Sequence, residues 1–167
     1  LYKMLTKRGL YLSGWEEVGM QKVEADGRKK WVPFPGFQDC NIHLNVWNNL
    51  GGNEDLAYKL ANAGYKVKLS FVSNFYMDMA YYKHFEEQGF YWGGFIDMER
   101  PFSFIPYDYL RNQQQDWLGR TLPDRVLKGA VTLTEKGKNN IVGLQASLWS
   151  ETIKTETQME RMLFPRL

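Results

Sequence analysis

The chain has 167 residues, enough for one domain with a real core, and its 44% hydrophobic and 24% charged content is ordinary for a globular protein. A net charge of +2, with no basic cluster beyond "GRKK" (Gly27 to Lys30), argues against a nucleic-acid partner. No apolar run approaches the roughly 20 residues of a membrane span, and a single cysteine, Cys40, excludes an intramolecular disulfide while leaving the redox compartment open. His43 and His84 are far apart and lack metal-ligand spacing, so no metal site is expected, and nothing calls for a cofactor. The unusual quantity is aromatic content, 16%, with six Trp and ten Tyr. Such an excess suits a large core, a partner surface, or a site for flat apolar faces such as sugar rings. The chain opens on Leu1 and closes on "MLFPRL", inside an unfinished helix, so it reads as a piece of something longer.

Taken in order, "LYKMLTKRG" looks like the end of a helix closed by Gly9 as a C-cap. "LYLSGWEEV" follows as a short strand. The polar segment from Gly19 to Gly36, with Gly27, Pro33, Pro35 and Gly36, is expected to be a loop. "CNIHLNVW" (Cys40 to Trp47) alternates as a strand should. A helix comes next, capped by Asn53, with Glu54 and Asp55 in its first turn. Its apolar face is Leu56, Ala57, Leu60 and Ala61, and Gly64 ends it. "YKVKLSFVSNFYMD" returns to strand, with Val67, Leu69 and Phe71 at alternate positions. A long stretch from Met79 to Asn139 has loop chemistry, short helical pieces and many aromatics. "IVGLQASLWSE" (Ile141 to Glu151) reads as a strand buried on both faces, and "TETQMERMLFPRL" begins another helix.

Strand, helix, strand, helix implies parallel strands with crossover helices. Four such strands are half of a (β/α)8 barrel, whose whole form takes about 250 residues. An open doubly wound sheet is the competing fold, but it would carry a glycine-rich phosphate turn, and the Gly51-Gly52 pair is too weak to count.

The strand ends carry the signal. The successive strands finish at Trp15 with Glu16 and Glu17, at Trp47, at Tyr76 and Asp78, and at Trp149 and Glu151. In a parallel barrel all carboxyl ends meet at one face, where active sites sit. Tyr76-Met77-Asp78 and Trp149-Ser150-Glu151 share a spacing that puts aromatic and acid on the same side of an extended chain. That pairing suits a sugar, whose apolar face packs on the ring while its hydroxyls donate to the carboxylate. Any one of these tryptophans is ordinary packing, either acid alone is an ordinary cap or surface charge, and Met77 and Met79 are core filler. Four strands ending alike is what favours a site.

With its flanks, "GLQASLWSE" followed by a helix ending "MLFPRL" resembles the last barrel strand of family 20 glycoside hydrolases, the β-N-acetylhexosaminidases and chitobiases. "FYMD" (Phe75 to Asp78) resembles the family's tyrosine–x–aspartate segment, and "GWEE" (Gly14 to Glu17) its strand-five tryptophan. "FYWGGFIDMERPFSFIPYD" resembles the long loop that follows the tyrosine segment. The resemblance spans nearly the whole chain, in order. It implies a single partial catalytic domain over residues 1–167, the C-terminal half of the barrel, about strands five to eight, with a long loop after the seventh.

By the same resemblance Trp15, Trp47 and Trp149 would wall the pocket for the N-acetyl methyl group. Tyr76 would donate to the acetamido oxygen, Asp78 and Glu151 would bind hydroxyls at the 4 and 6 positions, and Trp92 would stack on the leaving sugar. The implied reaction is substrate-assisted hydrolysis of terminal N-acetylglucosamine or N-acetylgalactosamine residues. One departure is decisive: the family's adjacent Asp-Glu catalytic pair is absent, and Glu54-Asp55 is reversed and opens a helix. The chain is therefore expected to hold the substrate pocket without the proton transfer, to be inactive alone, and to need the N-terminal half of the same barrel as partner. A periplasmic or secreted bacterial enzyme is the expected setting. The competing readings are a non-catalytic carbohydrate-binding or assembly module, and an unrelated barrel hydrolase with Glu16 or Glu17 as its acid.

Overall fold

A computed structural model describes residues 1–25, 27–38, 40–111, 113, 115–116, 118 and 120–167. Helix α1 (Tyr2–Thr6) precedes strand β1 (Leu12–Trp15), and β2 (Met20–Ala25) and β3 (Arg28–Pro33) follow. Then come β4 (Ile42–Val46), α2 (Leu56–Asn62), β5 (Lys66–Leu69) and the short α3 (Val72–Phe75). The rest is α4 (Glu99–Phe102), α5 (Asp124–Gly129), α6 (Glu135–Lys138), β6 (Ile141–Leu144) and α7 (Glu156–Leu163). Strands β1, β4, β5 and β6 form one parallel sheet in that spatial order. Among the described residues no helix is long and apolar enough to cross a membrane.

The sheet sorts its side chains by parity. Ile42, Leu44, Val46, Val67 and Leu69 are fully buried on one face, where Leu56, Ala57, Leu60 and Ala61 of α2 pack onto them. This apolar layer is the main source of stability, because each aliphatic side chain so buried contributes on the order of 2 kcal/mol. The opposite face carries Ser13, His43, Asn45, Lys66 and Lys68, paired across the strands by register. Trp15 pairs with Asn45 on that polar face, and Trp47 lies two residues beyond Asn45, just past the end of β4. Beyond the strand ends Trp47 packs on a second, smaller buried cluster made by Val72, Tyr76, Met79 and Ile96.

The segment from Gly19 to Gly36 is an antiparallel hairpin rather than a loop, registered from Met20↔Pro33 to Ala25↔Arg28. Gly27 sits at its turn with φ 69°, a backbone angle that glycine adopts freely, and an Asp-Gly pair between alternating residues is a hairpin signal. Asp26 itself lies outside the described residues. The hairpin and a 3-10 turn, Glu16–Gly19, stand where strict alternation required a helix between β1 and β4.

Helix α2 begins later than expected, with Asp55 at its N-cap. Asn53 donates from its side-chain amide to the Leu50 carbonyl instead of capping. The Asp55 carboxylate is drawn off to the Val131 N–H (2.8 Å) and the Lys59 ammonium (2.7 Å). The strand expected to run to Asp78 stops at Leu69, and α3 intervenes before Tyr76 rejoins as a single parallel bridge to Ser147. Strand β6 stops at Leu144 and is not buried on both faces: Val142 is 44% and Leu144 51% exposed. The reason is position, since β6 is an edge of this sheet. Within the long 79–139 segment, Asn112, Gln114, Trp117 and Gly119 lie outside the described residues.

Candidate functional site

The carboxyl ends of the parallel strands converge. A cleft of about 230 Å³ is lined by Trp47, Tyr76, Asp78, Phe90, Trp92, Trp149 and Glu151. Trp47 follows the last residue of β4. Tyr76 and Ser147 form the bridge that carries the ends of the β5 and β6 segments side by side, with Met77 N–H donating to the Ser147 carbonyl at 2.7 Å. Two residues beyond each bridge partner lie Asp78 and Trp149, so the aromatic and acidic positions arrive together although neither belongs to a regular strand.

The rings form a continuous chain. Centroids of Tyr76 lie 5.9 Å from Trp149, 6.1 Å from Trp92 and 6.5 Å from Trp47. Trp92 meets Trp47 edge-on at 6.1 Å with an interplanar angle of 78°. Trp15 lies 6.1 Å from Trp149 and backs it from outside the lining. Six of the seven residues singled out from the sequence therefore line one cleft, and Trp15 supports it.

Phe90 was not foreseen. It reaches the lining because the loop after Asp78 folds back as a strand-like partner, with Phe90 N–H donating to the Asp78 carbonyl (2.9 Å) and Ala80 N–H to the Phe90 carbonyl (2.6 Å). Gly89 permits this return. Its φ is 109°, and a Cβ there would sit 2.6 Å from the Asp78 carbonyl oxygen and 2.8 Å from the Ala80 nitrogen.

The acids differ in setting. Asp78 is 1% exposed, and its Oδ1 is buried without a hydrogen-bond partner. Burial raises its pKa to about 6, with Glu151 adding to the rise and the backbone N–H groups of Asp78 and Trp149 and the Arg166 charge opposing it. Oδ1 is thus a buried acceptor with unused hydrogen-bonding capacity beside the cleft. Burial, reinforced by Glu16 and Asp78, holds the Tyr76 phenol well above its ordinary pKa, so it stays a hydrogen-bond donor throughout the physiological range.

Glu16, also 1% exposed, does not line the cleft. Its Oε2 accepts the Trp47 N–H at 3.1 Å and its Oε1 the Asn48 N–H at 3.2 Å. Burial raises its pKa to about 7 despite those bonds. Its place in the structure is beneath the Trp47 turn, a role that an acid next to a strand-end tryptophan does not announce in sequence.

Comparison with known proteins now decides the family. The chain matches the family described as "Glycosyl hydrolase family 20, catalytic domain" over residues 1–167. It belongs to that family. The chain is 35% identical to a beta-hexosaminidase of Vibrio vulnificus over 98% of its own length and 18% of that protein's. It is 30% identical to beta-hexosaminidase B of Pseudoalteromonas piscicida, over 99% of this chain and 20% of that protein. The N,N'-diacetylchitobiase of Vibrio harveyi is 32% identical over 90% of this chain and 17% of its own. This chain thus spans about a fifth of the length of these relatives. The fold agrees with that of Streptomyces plicatus N-acetyl-beta-hexosaminidase in complex with Thio-NAglucal, at TM-score 0.60 and 23% identity, covering 99% of this chain and 26% of that one. The exo beta-N-acetylglucosaminidase of Vibrio harveyi in complex with N-acetylglucosamine gives TM-score 0.59 at 22% identity, over 99% of this chain and 20% of that one.

Proposed function

We propose that this chain supplies the substrate pocket of a β-N-acetylhexosaminidase that hydrolyses terminal N-acetylglucosamine or N-acetylgalactosamine residues. The observation that carries the reading is the joint lining of one cleft, in a family 20 chain, by a phenol donor, aromatic faces and two acids. Tyr76 donates to the acetamido oxygen and holds it for attack on the anomeric carbon. Asp78 and Glu151 accept from the 4- and 6-hydroxyls, and the open Oδ1 of Asp78 supports that role. Trp47 and Trp149 enclose the N-acetyl methyl group with Trp15 backing Trp149, and Trp92 stacks on the leaving sugar.

The domain is the C-terminal half of a (β/α)8 barrel, about strands five to eight, and the N-terminal half is its partner. The parallel order of β1, β4, β5 and β6, with the cleft at their carboxyl ends, supports this. The acid that protonates the leaving oxygen and the aspartate that orients the acetamide nitrogen lie outside these 167 residues, which contain no Asp-Glu dipeptide. Glu16 as the acid of an unrelated hydrolase fits poorly, because both its oxygens are held by backbone N–H groups away from the cleft. The test is turnover of a chromogenic N-acetylglucosaminide by the full-length protein carrying this chain. Tyr76→Phe is expected to lower kcat about 10²–10³-fold, as loss of one preorganised donor to a developing charge does elsewhere; near-wild-type turnover removes Tyr76 from the catalytic set.

A further inference from the structure

Arg166 is 5% exposed, and its side chain is satisfied by main-chain carbonyls. Nε donates to Met162 O at 2.9 Å, Nη1 to Met79 O at 2.9 Å and Ile96 O at 3.1 Å, and Nη2 to Met77 O at 2.5 Å and to Met162 O as well. The guanidinium carbon lies 4.0 Å from the centroid of the Tyr81 ring. The Tyr81 hydroxyl in turn reaches the carbonyls of Arg161 (2.8 Å) and Phe164 (3.1 Å). Burying a guanidinium is costly unless its donors are met, and here the planar fork is fully used.

What the fork grips is specific. Met77 and Met79 are the neighbours of Asp78 in sequence, so one rigid cation holds the peptide carbonyls on both sides of it. The Ile96 carbonyl ties in the far end of the loop that carries Phe90 and Trp92, and Ile96 N–H donates to the Ala80 carbonyl at 2.9 Å. Asp78 Oδ1 is buried without a hydrogen-bond partner, and the backbone N–H groups of Asp78 and Trp149 are what the carboxylate meets, so its direction follows the placement of the backbone that carries it. We propose that Arg166 is a positioning residue for Asp78: by clamping the flanking peptides it sets the aim of the carboxylate that grips the sugar hydroxyls. The inference rests on the assignment of Asp78 to those hydroxyls. Lysine cannot replace this clamp, since three donors on a flexible stem do not reproduce a planar fork.

The experiment uses the full-length protein carrying this chain, with a chromogenic N-acetylglucosaminide and its 4,6-dideoxy counterpart. Wild type, Arg166→Lys, Asp78→Asn and the double variant are compared. Arg166→Lys is expected to lower kcat/KM for the hydroxylated substrate by up to about 10²-fold, the scale of a small misplacement of a binding group. Its effect on the dideoxy substrate should be slight, and it should add little in the Asp78→Asn background, because the two changes disable one contact. Equal losses on both substrates, or losses that multiply in the double variant, overturn the positioning role and leave the Asp78 assignment standing. An Asp78→Asn variant with unchanged kcat/KM overturns the Asp78 assignment and this proposal with it. If Arg166→Lys does not fold, Tyr81→Leu takes its place, removing the ring beneath the guanidinium while keeping the cation. A selective loss on the hydroxylated substrate supports the proposal, and an unselective one overturns it.

Discussion

Glu16 Oε2 accepts the backbone N–H of Trp47 at 3.1 Å, across 31 residues of sequence. The same carboxylate takes the Asn48 N–H, so the end of β1 is tied to the turn that presents Trp47 to the cleft. The bond is made by a group that burial drives toward the neutral form, with a pKa of about 7 against the ordinary 4.5.

That shift sets a pH dependence of stability. Between the ordinary value and about 7 the folded protein holds a Glu16 proton that the unfolded chain has released. Glu16's contribution is therefore fully present below pH about 4.5 and is lost as pH rises through about 7. Asp78, raised from 3.8 to about 6, acts in the same direction. We expect Glu16→Gln to be less affected than wild type as pH is raised across this window, so the gap in thermal midpoint between the two changes with pH. A gap that stays constant would show that Glu16 titrates normally.

The Asp78 carboxylate gives a second expectation, in activity. Its pKa of about 6 in the ligand-free site should appear as an acid limb of kcat/KM, because the protonated acid loses acceptor strength. Asp78→Asn is expected to shift or remove that limb and to lower kcat/KM by about 10- to 100-fold, the range for a hydrogen bond to a charged acceptor. Thermal stability near pH 7 should not fall, since the variant removes a buried charge. An unaltered pH profile would separate Asp78 from substrate binding.

Gly89 should tolerate no side chain. At φ 109°, with a Cβ predicted 2.6 Å from the Asp78 carbonyl oxygen, alanine forces the loop away from Asp78. Backbone strain of this kind costs on the order of 1–3 kcal/mol, and the pairing of Phe90 with Asp78 should open with it. Chemical denaturation and substrate affinity should both register the change. Wild-type values for Gly89→Ala would mean that the loop has room to shift.

The 167-residue chain alone is expected to show no turnover and to self-associate. Strands β1 and β6 are sheet edges, and Val142 and Leu144 expose apolar surface on the second of them. Light scattering on the purified chain reads the association, and a stable dilute monomer would contradict it.

Periodicity made some of this legible in advance. The alternation in "NIHLNVW" and the Leu56, Ala57, Leu60, Ala61 stripe describe a buried sheet face and the helix that covers it, and both were found there. The hairpin of β2 and β3 is hard to read because charged residues interrupt the apolar ones on both of its sides and its glycine and prolines resemble loop punctuation. The cap of α2 was misplaced because Asp55 serves Val131, a partner 76 residues away that local sequence cannot reveal.

Rings and acids two apart, Tyr76 with Asp78 and Trp149 with Glu151, could be read in advance as a candidate sugar site, because extended chain repeats every two residues. The groups that back them are visible only in the folded chain. Phe90, Glu16 and Arg166 act through a loop returning on Gly89, a turn on Trp47 and carbonyls beside Asp78. Those contacts are made to main-chain atoms, and a main-chain atom looks the same at every position of a sequence until the fold places it.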